Sequence, residues 1–411
     1  MRRLFLSSIL LCLSLLGAAQ SRTLRIDYSF SGNCSQTEVS VDEIRSIEGW
    51  AGRRVNMQDT PLRGGGSITL RSEDGSVLYC QSFSTLFQEW QHTEEATRTK
   101  RSFENVFLLP LPEGPATVCV ELYDSHGCTA CSFTHGVDPS DILIRPSAET
   151  PEVREIAIGG PVEQCIDVAV VAEGYTASEK EKFYADAARA VRSIMAAEPF
   201  CGFKNRFNFR AVALSSRESG VSVPAEGLWK DTPLHSGFDT FYSSRYLTTL
   251  HLKDLHDRLG TVPYEHIIIL ANTETYGGGG IYNSYTLTAA GHKDFRPVVV
   301  HEFGHSFAGL ADEYFYDDQY SDYYHPDYEP WEPNITTMKD FGSKWEDMLG
   351  HGGVSVIEGG GYQSKGVWRG CEDCRMRTNS APGFCPVCRR AIETMIRFYT
   401  EPQKTTDSDA E

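Results

Sequence analysis

The chain has 411 residues, 40% hydrophobic and 23% charged, with a formal net charge of −18. That length suggests two domains, or three, with enough chain to bury a full core. The acidic balance argues against nucleic acid or an anionic membrane as partner, and it says little about substrate because most such charges lie on a solvated surface.

Met1 to Ala19 has the layout of a signal peptide: Arg2 and Arg3, an apolar core from Leu4 to Leu16, then the small residues Gly17-Ala18-Ala19. The apolar run is too short to span a bilayer, and no other segment is a candidate span. The mature chain is therefore expected to be exported, to the periplasm, the cell surface or the medium. Twelve cysteines include Cys12, so eleven remain after cleavage. An oxidising compartment predicts disulfides, and the odd number leaves at least one thiol free or intermolecular.

Residues 20–145 are expected to form an all-β sandwich. Leu24, Ile26, Tyr28 and Phe30 alternate with polar residues. Short apolar runs follow at Ser67–Leu70, Val77–Tyr79, Val106–Leu111 and Thr117–Leu122, separated by Gly64-Gly65-Gly66, Asp74-Gly75 and Pro112-Glu113-Gly114. Cys119, Cys128 and Cys131 can bridge or bind metal, and export favours a bridge. Residues 146–160 are polar and contain Pro and Gly, as a linker would.

Residues 161–400 change pattern. Ile166–Val171, Phe207–Leu214 and His266–Ala271 are apolar strands. A helix starts at Thr176 with Glu179 completing a capping box, and a second is predicted over Asp239–Leu259. Strands alternating with helices imply a largely parallel sheet. Tyr276 to Tyr282, with four glycines in a row, predicts a flexible loop, and Ser284–Ala289 an edge strand that can border a cleft and pair with an extended peptide. Residues 401–411 are polar and acidic, and are expected to be disordered.

Pro297 to Tyr314 reads PVVVHEFGHSFAGLADEY. His301 and His305 stand four apart, so on a helix both imidazoles share one face and can hold one Zn²⁺. Glu302 can reach a water at that metal without being a ligand. The metal lowers the water's pKa to about 7, and the carboxylate takes its proton. Asp294 and Pro297 suit the helix start, and Gly309 its stop. Val298, Val299, Val300, Phe303, Phe307 and Ala308 make the helix apolar, hence buried, and a buried His-Glu-His set needs a partner such as a metal.

Tyr314 to Trp331 is rich in aromatics and acids, as a cleft wall or a calcium loop would be, although no fixed calcium-loop spacing is present. His325 there is a fourth-ligand candidate or a surface histidine. Cys371-x-x-Cys374 and Cys385-x-x-Cys388 have the spacing of a second, structural Zn²⁺ site, while export favours two nested disulfides among the same four.

On HEFGHSFAGLADEY, Glu332-Pro333-Asn334, Cys374-Arg375-Met376-Arg377 and Phe384-Cys385, the stretch from Ile166 to Tyr399 resembles the zincin metallopeptidases. It is more closely similar to the bacterial immunoglobulin A metallopeptidase family. The resemblance implies an α+β fold: a zincin-like catalytic domain, a mixed sheet with a buried active-site helix, preceded by a β-sandwich. It implies an exported zinc endopeptidase acting on a protein or peptide, with a host glycoprotein among the candidate substrates. Metzincin-type sites read H-E-x-x-H-x-x-G-x-x-H. Here Gly309 comes one residue late, but the interval to the third ligand is kept at Asp312, with Glu313 as its rival. Glu313 is otherwise expected beside a histidine, Tyr314 near the oxyanion and Met376 in the methionine turn under the metal. Two other readings are a glycan- or protein-binding surface module with an idle peptidase domain, and a zinc hydrolase acting on a non-peptide amide.

Overall fold

The computed structural model describes residues 22–147, 149–316 and 323–403. The expected signal peptide, residues 404–411 of the acidic tail and Asp317, Asp318 and Tyr320 lie outside the described residues. The architecture is mixed α+β, with four sheets and few helices among the described residues. Among the described residues no helix is long and apolar enough to cross a membrane.

Two four-stranded sheets occupy the amino-terminal part. One runs Arg101–Pro110, Arg22–Asn33, Gln36–Glu48, Arg145–Pro146; the other Val77–Phe83, Gly66–Ser72, Ala116–Tyr123, Thr129–Val137. The alternation at Leu24, Ile26, Tyr28 and Phe30 turns these residues inward, all fully buried. Thr85 caps the short helix Leu86–Gln91 by accepting from the Gln88 N–H. That helix carries Glu89 toward the later part of the chain.

A six-stranded sheet follows, in the order Gly278–Ile281, Tyr285–Ala289, His266–Ala271, Ile166–Glu173, Phe207–Val212, Val153–Ile158. Its four inner strands are parallel and both edges antiparallel. Ile166–Glu173 and His266–Ala271 are buried along their whole length, which explains their continuous apolar sequence. One face of this sheet shares a buried cluster with the amino-terminal sheets, through Ala169, Val171, Ile267 and Ile269. The other face packs on the helices Lys180–Ala196, Phe295–Ala308 and Pro386–Thr400. The capping box at Thr176 and Glu179 is present.

Two elements differ from the expectation. The helix is confined to Leu252–Leu259, while Asp239, Phe241 and Tyr242 take positive φ and Gly237 bridges Thr248. The chain there folds back on itself, which a continuous helix forbids. The sheet edge is the glycine run itself, Gly278–Ile281, and Tyr285–Ala289 lies inside it. The outer side of that edge is engaged at Gly278, whose N–H donates to the Arg245 carbonyl at 3.3 Å, so pairing with an extended peptide along its full length is closed off.

Candidate metal centre

The helix Phe295–Ala308 lies across the inner end of the glycine strand, and the approach is close. A Cβ at Gly280 would stand 2.3 Å from the Glu302 carbonyl oxygen and 2.7 Å from His305 Cβ. Asp294 occupies the helix start, but its side chain makes no capping bond. Gly309 ends the helix at φ 59°, the left-handed conformation that glycine adopts without strain. The chain then turns back and delivers Asp312 to the helix face.

His301 Nε2 lies 3.0 Å from His305 Nε2 and 3.0 Å from Asp312 Oδ1, and His305 Nε2 lies 3.3 Å from the same oxygen. The opposite ring nitrogens face acceptors only: His301 Nδ1 the Arg375 carbonyl at 2.9 Å, and His305 Nδ1 the Leu310 carbonyl. Both Nδ1 atoms are thereby donors, and in the neutral rings both Nε2 atoms present lone pairs. With both rings neutral, as metal binding requires, two lone pairs and a carboxylate oxygen converge on one point. Asp312 Oδ1 is buried and faces only the two imidazoles among the described residues, whereas Oδ2 accepts from the Tyr362 hydroxyl. Ligands held tetrahedrally at about 2.0–2.1 Å from a zinc ion stand about 3.3 Å apart, close to the spacing here. The residues present therefore fit a divalent metal.

The electrostatics agree. Burial pulls the His305 imidazole down, but the Asp312 and Glu302 carboxylates outweigh it and carry it up to about 9. Burial pushes Asp312 up, and the two imidazoles outweigh it and hold the carboxyl well below its usual range. The pocket is thus built for positive charge. Glu302 offers an oxygen within 4.8 Å of both imidazole nitrogens, and makes no hydrogen bond to either among the described residues. Desolvation raises its pKa, the two imidazoles oppose this and Asp312 adds to it. A Cβ at Gly278 would meet Glu302 Oε1 at 2.6 Å, so the missing side chain leaves space beside this carboxylate.

Glu313 points away from the imidazoles. Its Oε1 accepts from Asn334 Nδ2 at 3.0 Å and lies 3.0 Å from Cys388 Sγ. It therefore does not orient a histidine; the carbonyls of Leu310 and Arg375 do. Asn334 also clamps Ala311 through both backbone groups, at 2.8 and 2.9 Å. Met376 is fully buried beneath the helix, its Sδ 3.0 Å from where a Gly304 Cβ would be, and its carbonyl accepts the Glu313 N–H at 2.8 Å. Tyr314 lines the cleft, its ring 5.3 Å from that of Tyr362. His325 stays with the amino-terminal part, stacked on His126 at 4.2 Å and 3.0 Å from Ser125 Oγ.

Three contributions escaped the sequence reading: Tyr362, the two orienting carbonyls, and Glu89. Nothing local marks Tyr362 except the glycines before it. Glu89 accepts from the Tyr246 hydroxyl on the wall of a cleft of about 1300 Å³ that both parts of the chain line. Burial is the main reason its carboxyl is pushed up to about 7.

The expected disulfides are not formed. All eleven cysteines among the described residues are free thiols. Cys374 Sγ and Cys388 Sγ are 3.7 Å apart, well beyond the roughly 2.05 Å of a disulfide. Cys119 Sγ faces Ser132 Oγ at 3.7 Å rather than another sulfur.

A family model described as IgA Peptidase M64 matches residues 155–355, and one described as Peptidase M64 N-terminus matches residues 17–134. No curated protein matches the chain.

Proposed function

Because the chain belongs to the IgA peptidase M64 family, a family of metallopeptidases, we propose that it is an exported zinc-dependent endopeptidase with a zincin-like catalytic domain behind an amino-terminal β-sandwich. The observation that carries this reading is the meeting of His301 Nε2, His305 Nε2 and Asp312 Oδ1 within 3.3 Å of one another, with Glu302 alongside. These three atoms would hold the metal. When bound, it would supply Lewis acidity that polarises the scissile carbonyl and acidifies the attacking water.

The chain's own residues do the rest. The carbonyls of Arg375 and Leu310 fix both imidazoles in one tautomer. Tyr362 holds the far oxygen of Asp312. Glu302 accepts the proton of the attacking water and passes it to the leaving amine. Gly278 keeps a side chain out of the space beside that carboxylate, and Gly280 lets the helix backbone at Glu302 lie close against the strand. Tyr314, two residues past Asp312 and lining the cleft, is our candidate for the oxyanion donor. A cleft of about 1300 Å³ has room for a stretch of polypeptide on both sides of the reacting bond, which supports internal cleavage of a protein. A host glycoprotein fits that class.

The test is digestion of a peptide library with and without a chelator, alongside Glu302→Gln. Chelator-sensitive internal cleavage is expected, with the variant keeping its metal and losing turnover. Zinc-loaded protein that cleaves nothing at any pH would instead favour a binding module with an idle peptidase domain. Metal loss from Glu302→Gln would remove this residue from the role of base.

A further inference from the structure

Behind the His-Glu-His helix lies a second group of donors that the peptidase chemistry does not use. Cys385 caps the helix Pro386–Thr400, and Cys388 sits in its first turn. Cys371 and Cys374 come from the turn before Met376. All four are buried, at 7, 0, 5 and 0% exposure in chain order. We propose that Cys371, Cys374, Cys385 and Cys388 form a separate, thiolate-lined site for a divalent metal of the zinc class, which holds the frame of the catalytic centre.

Three observations carry it. The first is the sulfur spacing. Four sulfurs at about 2.3 Å around a tetrahedral zinc stand about 3.8 Å apart. Cys374 Sγ and Cys388 Sγ are 3.7 Å apart. The second is that Cys374, Cys385 and Cys388 bring one sulfur each, with a Glu313 oxygen, within 4.8 Å of one another, while Cys371 Sγ lies outside that group, 3.7 Å from the Gly353 carbonyl, and would turn in as the fourth sulfur. Packing alone does not require that convergence, since thiols bury as small apolar groups. The third is the polar environment. The Cys385 N–H points at Cys374 Sγ at 3.2 Å, and the amino end of a 15-residue helix faces the group. Both favour thiolate over thiol. Arg369 Nε donates to the Cys371 carbonyl at 3.2 Å and brings positive charge near a site that four thiolates would leave negative. Glu313 Oε2 is buried there without a partner among the described residues.

The link to the first centre is short. Arg375, whose carbonyl orients His301, follows Cys374. Glu313 follows Asp312, and its N–H is held by the Met376 carbonyl at 2.8 Å while its carboxyl touches Cys388. An ion among the sulfurs therefore pins both the ligand-bearing turn and the turn that orients a ligand. This follows from the thiol geometry and does not depend on the peptidase reading.

The experiment uses full-length chain prepared reduced and without oxygen, with cobalt(II) as the probe. His301→Ala empties the first centre. That variant is expected to retain one equivalent of cobalt with strong sulfur-to-cobalt charge-transfer absorption, against two equivalents in the wild type. Adding Cys374→Ser should abolish that band. Because a cysteine variant can fail to fold, a second measurement uses the wild type alone. A mercurial thiol reagent added to native zinc-loaded protein should release one equivalent of zinc to a chromogenic chelator as the four thiols react. No cobalt in His301→Ala, cobalt without the sulfur band, thiol reaction without zinc release, or disulfides among these four in a non-reduced digest would each overturn the proposal.

Discussion

The hydroxyl of Tyr362 is the most direct handle on the first centre that leaves its three ligands in place. It donates to Asp312 Oδ2, and Oδ1 faces the two imidazoles. Burial first, then the neighbouring Asp312 charge, raises the phenol well above its ordinary pKa, so it remains a donor at all usable pH. Asp312 is 6% exposed, so water does not readily replace a lost donor. Tyr362→Phe keeps the ring, which packs 5.3 Å from Tyr314 and 5.9 Å from Tyr323. What it removes is one hydrogen bond to a charged group, about 1.5–3 kcal/mol. If that loss falls on the metal-bound state, affinity drops about 10- to 100-fold, the range typical of groups that orient a ligand. Metal affinity by competition with a chromogenic chelator measures it, and the melting temperature of the metal-free protein reports any damage to the fold. At saturating metal, turnover should recover most of its wild-type value. A metal affinity within twofold of wild type, in a variant that melts normally, would refute the assignment of Asp312 as a ligand oriented by Tyr362.

Other outcomes follow from the same geometry. Asp312→Ala should lose most bound catalytic metal, by more than about 100-fold in affinity, while Glu313→Ala keeps that metal and loses less activity; metal analysis showing the reverse would exchange their roles. Gly280→Ala drives a Cβ to 2.3 Å from the Glu302 carbonyl and must push helix from strand. It should lower stability by about 1–3 kcal/mol and kcat/KM about 100-fold, whereas Gly114→Ala, with nothing within 4 Å, serves as the silent control. His266 packs between Phe307 and Tyr399, and burial pulls its imidazole down to about 3. The unfolded chain, with its histidine near 6.5, therefore takes up a proton as pH falls below 6.5 while the folded chain does not, and stability is lost in that window. Urea unfolding at about pH 7 and 4.5 should show His266→Phe losing about 2–3 kcal/mol less than wild type, and equal losses would contradict the neutral buried histidine.

The local grammar of the chain settled a good deal on its own. The four-residue interval of His301 and His305 is one turn of helix, so the shared face follows from backbone geometry alone. Gly309 as the helix stop and the capping box at Thr176 and Glu179 also rest on interactions within a few residues. The strands at Ile166, Phe207 and His266, and with them the mixed α+β character, were legible as continuous apolar runs, although their pairing partners lie far along the chain. Where the chain doubles back under tertiary contacts, that grammar failed. Residues around Phe241 carry helix-like spacing yet adopt positive φ, because Gly237 and Thr248 pair across them.

The directions of side chains after the helix were decided only by the tertiary structure. Asp312 and Glu313 are neighbours with the same charge, and nothing in the sequence between them says which faces the imidazoles. The structure separates them because Asn334, 21 residues on, and Cys388, 75 residues on, take Glu313 to the opposite side. Tyr362 reaches Asp312 from 50 residues away, and the Arg375 carbonyl reaches His301 from 74. The free thiols at Cys374 and Cys388 likewise depend on the distance at which a turn and a helix start come to rest. Propensity and spacing act along the chain over one or two turns. Which distant groups meet is set by how the helices and the sheet close around one another, and that closure is a property of the packed core.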